Sequence, residues 1–434
     1  MKISKLVKIV PISVGVVALI FAAISFKSGE AASFAPITSC GTISASGNYE
    51  LANNLSSASG TCITITASNV SLDCAGFSIN GSGVYPSTAV YSNQANTSIN
   101  NCTIDNFWKG IHFDGVDNGS IIKNTVSSNV SQAVGINLQS GSSNLLQDNT
   151  AITRPSYGGA AISLEGSSRN TLLSNHGESD KWIGITLWDL GGVGANNNTL
   201  TGNTGIGGAD GIIIWHSDNN ILTGNTGTGT GNPGRGIYLV SADGNTLSSN
   251  ICQATSSTNY IGVAGCDLIW SSNNQLTNNQ IISNGGAALS MYGDTTNGAS
   301  SGNVISNNTL SNINIQVYVY GSAAGGNTFV RNHFSASSGL YVKDESSGNT
   351  WDTGPSTRER QGNFWPNVLS GAVQVIDSKP GNGWGNCGTG FPYSQATSQG
   401  KFVGPGADKA PATTNIGNCG VQNKLDINKS QKKK

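Results

Sequence analysis

Glu165, Trp188, Asp189, Asp210, Trp215 and His216 recur around short aliphatic runs, and that spacing is what could bring chemistry together. The runs include Gly135-Ile136-Asn137-Leu138, Gly184-Ile185-Thr186-Leu187, Gly211-Ile212-Ile213-Ile214 and Gly236-Ile237-Tyr238-Leu239. In a strand the residue after the last inward side chain projects to the opposite face. Taken run by run, this position gives the outward column Asp114, Gln139, Glu165, Trp188, Trp215, Val240, Trp270, Tyr292, Tyr320 and Lys343. Half of it is aromatic, and a line of exposed rings is suited to stacking on sugar rings, with Lys181 and Arg235 as flanking ligands. Asp189 and His216 follow Trp188 and Trp215 in register, so strand spacing would hold them ~5 Å apart, a distance that suits an acid–base pair. Glu165 and Asp210 complete the candidate catalytic set. The competing expectation is that the insert from Ile251 to Cys266 folds over the column and buries it. His112, His333 and Arg358-Glu359-Arg360 read as solvated surface or interdomain contacts.

The elements that must position these residues are repeats. A block N-x-[apolar]-x-x-N occurs eight times, from Asn144–Asn149 to Asn327–Asn332, and Asn101–Asn106 is a ninth, looser copy with Thr103 in the apolar place. From Asn144 onward its leading Asn recurs every 22 to 29 residues, inside the range that signals a solenoid. Two or three short strands per repeat, aliphatic inside and polar outside, describe one coil of a right-handed parallel β-helix (all-β), and about ten coils would make a rod roughly 50 Å long. The turn asparagines are expected to stack coil upon coil as amide ladders. Sequons such as Asn197-Asn198-Thr199 arise from the same Asn- and Thr-rich repeat.

Composition agrees. With 58 Gly and 51 Asn in 434 residues and only 10% charged residues, the chain is turn-rich, which excludes a helix bundle; recurrent aliphatic runs and a net charge of -1 exclude disorder. Residues 31 to 423 carry 13 Lys/Arg against 21 Asp/Glu, a net of -8, so no nucleic-acid partner is expected for the body.

Ile9 to Phe26 is an uncharged stretch behind Lys2, Lys5 and Lys8, with Ala31, Ala32 and Ser33 after it. It reads as an export signal, either cleaved or retained as a membrane anchor, with the body outside the cytoplasm. Eight cysteines suit disulfides in an exported protein. Neighbours in sequence pair most simply as Cys40 with Cys62, Cys74 with Cys102, Cys252 with Cys266, and Cys387 with Cys419. The expected organisation is a signal or anchor over 1–33, a β-helix over 34–352 whose first residues, 34–75, cover one end, a capping segment over 353–423, and a lysine-rich tail over 424–434.

From Ser39-Cys40-Gly41-Thr42-Ile43 through Cys62-Ile63-Thr64-Ile65 to Val70-Ser71-Leu72-Asp73-Cys74-Ala75-Gly76, the chain resembles the entry segment of exported right-handed parallel β-helix repeat proteins. That group includes the NosD-type periplasmic family and relatives with carbohydrate-binding or sugar-hydrolase domains. Gly362-Asn363-Phe364-Trp365, with Asp377, Gly383 and Pro392-Tyr393, resembles their terminal motif. The resemblance would bring calcium to the acidic loop of that motif, but Asn382, Trp384 and Asn386 stand where acids are usual, so no cofactor is expected. Copper handling would want clustered soft ligands, and the four His (His112, His176, His216, His333) and two Met are scattered. The scaffold hosts many activities. The reading is a protein binding polysaccharide or another surface polymer, with a polysaccharide lyase or glycoside hydrolase and a structural surface-layer or adhesin protein as alternatives.

Overall fold

A computed structural model describes residues 34–354, 360–378 and 382–417. The segment Ile9 to Phe26, on which the export and anchoring expectations rest, lies outside them, as do Arg358, Glu359, Cys419 and the lysine-rich tail. Among the described residues no helix is long and apolar enough to cross a membrane.

The chain winds through three parallel sheets. Sheet I has 14 strands, from Gly41–Ile43 to Phe402–Val403; sheet II has 13, from Ala35–Ile37 to Thr328–Val330; sheet III has 12, from Leu55–Ser57 to His333–Phe334. These make about twelve turns rather than ten, because the first coils lack the asparagine block by which coils are counted in the sequence. One coil shows the rule: Thr171–Leu173 lies in sheet II, His176–Ser179 in sheet III and Ile183–Trp188 in sheet I. Leu172, Ile185 and Leu187 of that coil face inward and are fully buried, and Ile185 stacks in register between Ile162 and Ile212. Each such side chain contributes about 1.5–3 kcal/mol, which a single coil could not realise alone.

The asparagine blocks build two ladders. The leading Asn of each block sits at the corner before sheet II, where Asn198 Nδ2 and its backbone N–H both donate to Asn220 Oδ1, at 3.1 and 2.8 Å. The last Asn sits at the corner between sheets II and III, where Asn175 Nδ2 donates to Asn203 Oδ1 at 2.9 Å. The first ladder runs from Asn144 to Asn349 and the second from Asn124 to Asn363, with almost every member fully buried. Asn101 and Asn106, the looser copy with Thr103 in the apolar place, join neither ladder; they occupy left-handed corner positions, at φ 54° and 63°. Cys102 takes the ladder place instead: its N–H donates to Asn124 Oδ1 at 2.9 Å, and it is bridged to Cys74.

Residues 34–75 join the sheets as their first rungs: Ala35–Ile37 pairs with Gly47–Leu51, and Gly41–Ile43 with Gly60–Ile65. Disulfides join Cys40 to Cys62, Cys74 to Cys102 and Cys252 to Cys266. Cys387 is also disulfide-bonded.

At the other end Phe402–Val403 extends sheet I beside Leu340–Asp344, and fully buried Trp365 stacks on Phe334 and Tyr393 at centroid distances of 4.3 and 4.5 Å. His333, expected on the solvated surface or in an interdomain contact, is exposed and stacks on Phe364 at 3.9 Å. The second ladder ends on Asp408, which is fully buried and whose Oδ2 accepts from Asn363 N–H and Trp365 Nε1–H at 2.7 and 2.8 Å. Burial pushes its pKa up to about 7. A carboxyl raised above its unfolded value of roughly 3.9 contributes stability that is complete below that value and is lost as pH rises through about 7. Chemical denaturation of the wild type between pH 5 and pH 8 should therefore show a loss approaching about 1.4 kcal/mol per pH unit from this group. Asp408→Asn should flatten that slope, and an unchanged slope would refute the assignment.

Candidate functional site

The outer face of sheet I carries the candidate chemistry. Seven of its strands matter here: β1 Lys109–Asp114, β2 Val134–Gln139, β3 Ala160–Glu165, β4 Ile183–Trp188, β5 Asp210–Trp215, β6 Gly234–Val240 and β7 Val263–Ile269. Their last residues form the column Asp114, Gln139, Glu165, Trp188, Trp215, Val240, Ile269, continued by Tyr292 and Tyr320. Trp270 is not in it. It lies one residue further, at the left-handed corner (φ 51°), where its Nε1–H donates to Asp294 Oδ2 at 3.0 Å. Lys343 pairs with Tyr318 rather than Tyr320, and so also leaves the column.

The rings do not lie open in a row. Trp188 and Trp215 stack on each other at 4.9 Å with 6° between planes, and Trp215 stacks in turn on His216 at 5.8 Å and 8°. Trp215 is therefore engaged by two rings, while Trp188 has Glu165 as its register partner on the preceding coil. Ile183, Ile213, Tyr238 and Val240 form a small buried cluster outside the main core, against which Trp215, Ile269 and Trp270 pack. The insert before β7 is not the cover: around Gly262, Gly285 and Gly286 it packs on Pro233 and the next coil at the entry side of the sheet.

Two further expectations change. Asp210 and Arg235 are not surface ligands. Arg235 Nε–H donates to Asp267 Oδ2 at 2.9 Å, its Nη1 lies 3.4 Å from Asp210 Oδ1, and its guanidinium sits 4.0 Å from the Tyr238 centroid. Burial raises the pKa of both carboxyls, Asp210 to about 6, against the pull of Arg235. Asp189 and His216 are joined by no hydrogen bond or ion pair: Asp189 Oδ2 accepts Gly192 N–H at 3.3 Å, across a hairpin closed by Gly191 and Gly192 at φ 61° and 85°, while His216 is held against Trp215. Lys181 stays exposed on the entry loop.

What the fold does bring together is a cleft of about 420 Å³, lined by Glu165, Trp188 and Asp189 with Tyr157, Trp182, Ser163 and Thr186. Tyr157 and Trp182, 67% and 41% exposed, rise from loops that enter β3 and β4; the sequence analysis followed strand exits and passed over strand entries. Glu165 Oε1 accepts Asn137 Nδ2–H at 3.0 Å and Ser163 Oγ–H at 3.1 Å.

Behind Glu165 lies a polar cluster that sequence reasoning missed. Lys109 Nζ donates to Asn137 Oδ1 at 2.8 Å and lies 3.2 Å from His112 Nε2, which is 3.3 Å from Gln139 Oε1. His112 is thus no solvated surface residue; burial, helped by the Lys109 charge, lowers its pKa to about 4 and keeps it neutral. A lone His and Lys on one strand gave no signal, because their partners stand on two later coils. Among the described residues no three of His, Cys, Asp or Glu converge as metal ligands.

Residues 192–370 match the family described as periplasmic copper-binding protein (NosD), and residues 61–226 match the right handed beta helix region. No curated protein matches the chain. In structure it is similar to the A-module of the mannuronan C-5 epimerase AlgE4 of Azotobacter vinelandii, at 15% identity over 72% of this chain and 91% of that one, with a TM-score of 0.50. It is also similar to a tailspike protein of E. coli bacteriophage HK620, at 13% identity over 68% and 60%, with a TM-score of 0.40. At such identities the likeness concerns the fold. Both family matches overlap on the coils whose three sheets and paired ladders were described above, and the chain is a right-handed parallel β-helix repeat protein.

Proposed function

We propose that this protein is exported and binds polysaccharide or another surface polymer in the cleft between β3 and β4. The observation that carries the reading is that the Trp188 ring lines one cleft with the carboxylates of Glu165 and Asp189, with the exposed Trp182 and Tyr157 at its rim. An apolar ring face suits the C–H face of a sugar, and the Glu165 and Asp189 carboxylates suit its hydroxyl groups. Disulfides support an oxidising compartment outside the cytoplasm.

A glycan array with the purified protein should give a saturable signal. Trp188→Ala should weaken it at least about tenfold with little loss of stability, whereas Trp215→Ala, which opens the small outer cluster, should chiefly lower the unfolding temperature. No saturable signal on a broad array would favour the structural or adhesin role instead. Two carboxylates lining one cleft also favour a second reading, glycoside hydrolysis or polysaccharide cleavage with Glu165 and Asp189 as the working pair. Release of shorter oligosaccharides by the wild type, abolished in Glu165→Gln, would establish it.

A further inference from the structure

The Lys109 cluster is arranged for a reaction within the chain itself. Lys109 is 9% exposed and Asn137 is fully buried. They stand on the adjacent strands β1 and β2, with Nζ 2.8 Å from Asn137 Oδ1, one carbonyl bond from the amide carbon. The amide nitrogen is in turn 3.0 Å from Glu165 Oε1 on β3. We propose that Lys109 and Asn137 become joined by an intramolecular isopeptide bond, with Glu165 as the catalytic proton-transfer group.

The cluster answers what such a condensation requires. The nucleophile must be the free amine. Burial lowers the Lys109 pKa against the opposing pull of Glu165 and Asp114, and the nearby His112 imidazole is neutral, able to accept a hydrogen bond from Nζ. Among the described residues no carboxylate lies within ion-pair distance of Nζ, so the ammonium form is buried with no directly paired counter-ion, which is costly. Converting it to a neutral amide removes that cost.

In the reaction the Nζ lone pair forms a bond to Asn137 Cγ and the carbonyl electrons move onto Oδ1. Once bonded to Cγ, the attacking nitrogen sits beside Nδ2, the atom Glu165 already faces, and Glu165 then takes the proton from it and delivers it to Nδ2. The Cγ–Nδ2 bond breaks, the carbonyl re-forms and ammonia leaves; starting from the ammonium, the departing group carries the extra proton away. No oxidant or cofactor is needed, and diffusion of ammonia makes the step effectively one-way. The product ties two successive coils together beside the cleft and leaves Glu165 free to act there.

The test is tandem mass spectrometry of the folded wild-type protein after reduction, alkylation and trypsin digestion. The expected result is no cleavage after Lys109 and a branched species in which the Lys109 and Asn137 peptides are linked with the loss of one ammonia. Lys109→Met should abolish the branched species and return the Asn137 peptide unmodified, and Glu165→Gln should return both free peptides. Recovery of free Lys109 and Asn137 peptides in full yield from the folded wild type would overturn the proposal without recourse to any variant. So would deamidation of Asn137 without a link. A link formed equally well in Glu165→Gln would overturn the role given to Glu165.

Discussion

Replacing Asn225 with alanine is expected to cost about 3–6 kcal/mol of stability, although it removes only one small polar side chain. Asn225 Oδ1 accepts from Asn203 N–H and Nδ2–H at 2.8 and 2.9 Å, and its own Nδ2–H groups reach Leu200 O and Asn250 Oδ1 at 2.9 and 3.0 Å. Asn225 is fully buried, so no water reaches the Asn203 N–H or the Leu200 carbonyl left behind. Each orphaned backbone group costs about 1–3 kcal/mol, and the lost ladder contacts add to this. Asn101→Ala is the control. That residue is exposed and outside the ladder; it stands to lose about 1 kcal/mol of left-handed backbone preference at φ 54° and a solvent-exposed hydrogen bond from Nδ2 to the Asp73 carboxylate, and it leaves no buried backbone group unpaired. Urea denaturation of both variants checks the contrast, and similar small losses at the two positions would contradict a ladder that holds the coils together.

That contrast also marks where the sequence stops being informative. The period of the asparagine blocks and the alternation in runs such as Gly184-Ile185-Thr186-Leu187 are enough to read a parallel solenoid, because stacked coils impose one pattern on every repeat. The looser copy at Asn101–Asn106 misleads, since asparagine serves both a buried ladder and a left-handed corner, and only Thr103 in the apolar place tells the two apart. Trp270 was assigned to the outward column for a related reason. The outward place on β7 is held by Ile269, an aliphatic residue, so reading it as the last inward side chain of the run places the strand end one residue late.

The site was legible only in part. Glu165, Trp188 and Asp189 do meet, because a fixed offset on one sheet face survives coil after coil. Tyr157 and Trp182 were not seen, because entry loops vary in length and carry no period. Lys109, His112 and Asn137 were missed because a buried polar cluster built from three coils has no local motif, and Asn137 looks like any other asparagine of the repeat.

Arg235→Met is the second variant with a large expected effect, and it separates a structural role from the ligand role first assigned to that residue. The Arg235 side chain is 15% exposed, and those of Asp210 and Asp267 only 8% and 2%, so the guanidinium is what lets two acids share a dry stretch of the sheet. Breaking a buried pair by removing one partner costs about 3–5 kcal/mol. The cost should depend on pH. Without Arg235 both carboxyls lose the interaction that lowers their pKa, while burial and mutual repulsion still raise it. Groups whose folded pKa is raised contribute stability that is complete below the unfolded value of roughly 3.9 and is lost as pH rises through the folded value. The variant should therefore approach the wild type near pH 4 and fall furthest below it at pH 7 to 8. Adding Asp210→Asn and Asp267→Asn to the variant should recover most of the loss at neutral pH, because the replaced groups carry no charge to strand. A variant that keeps wild-type stability across this range while losing glycan affinity would return Arg235 to the surface as a ligand.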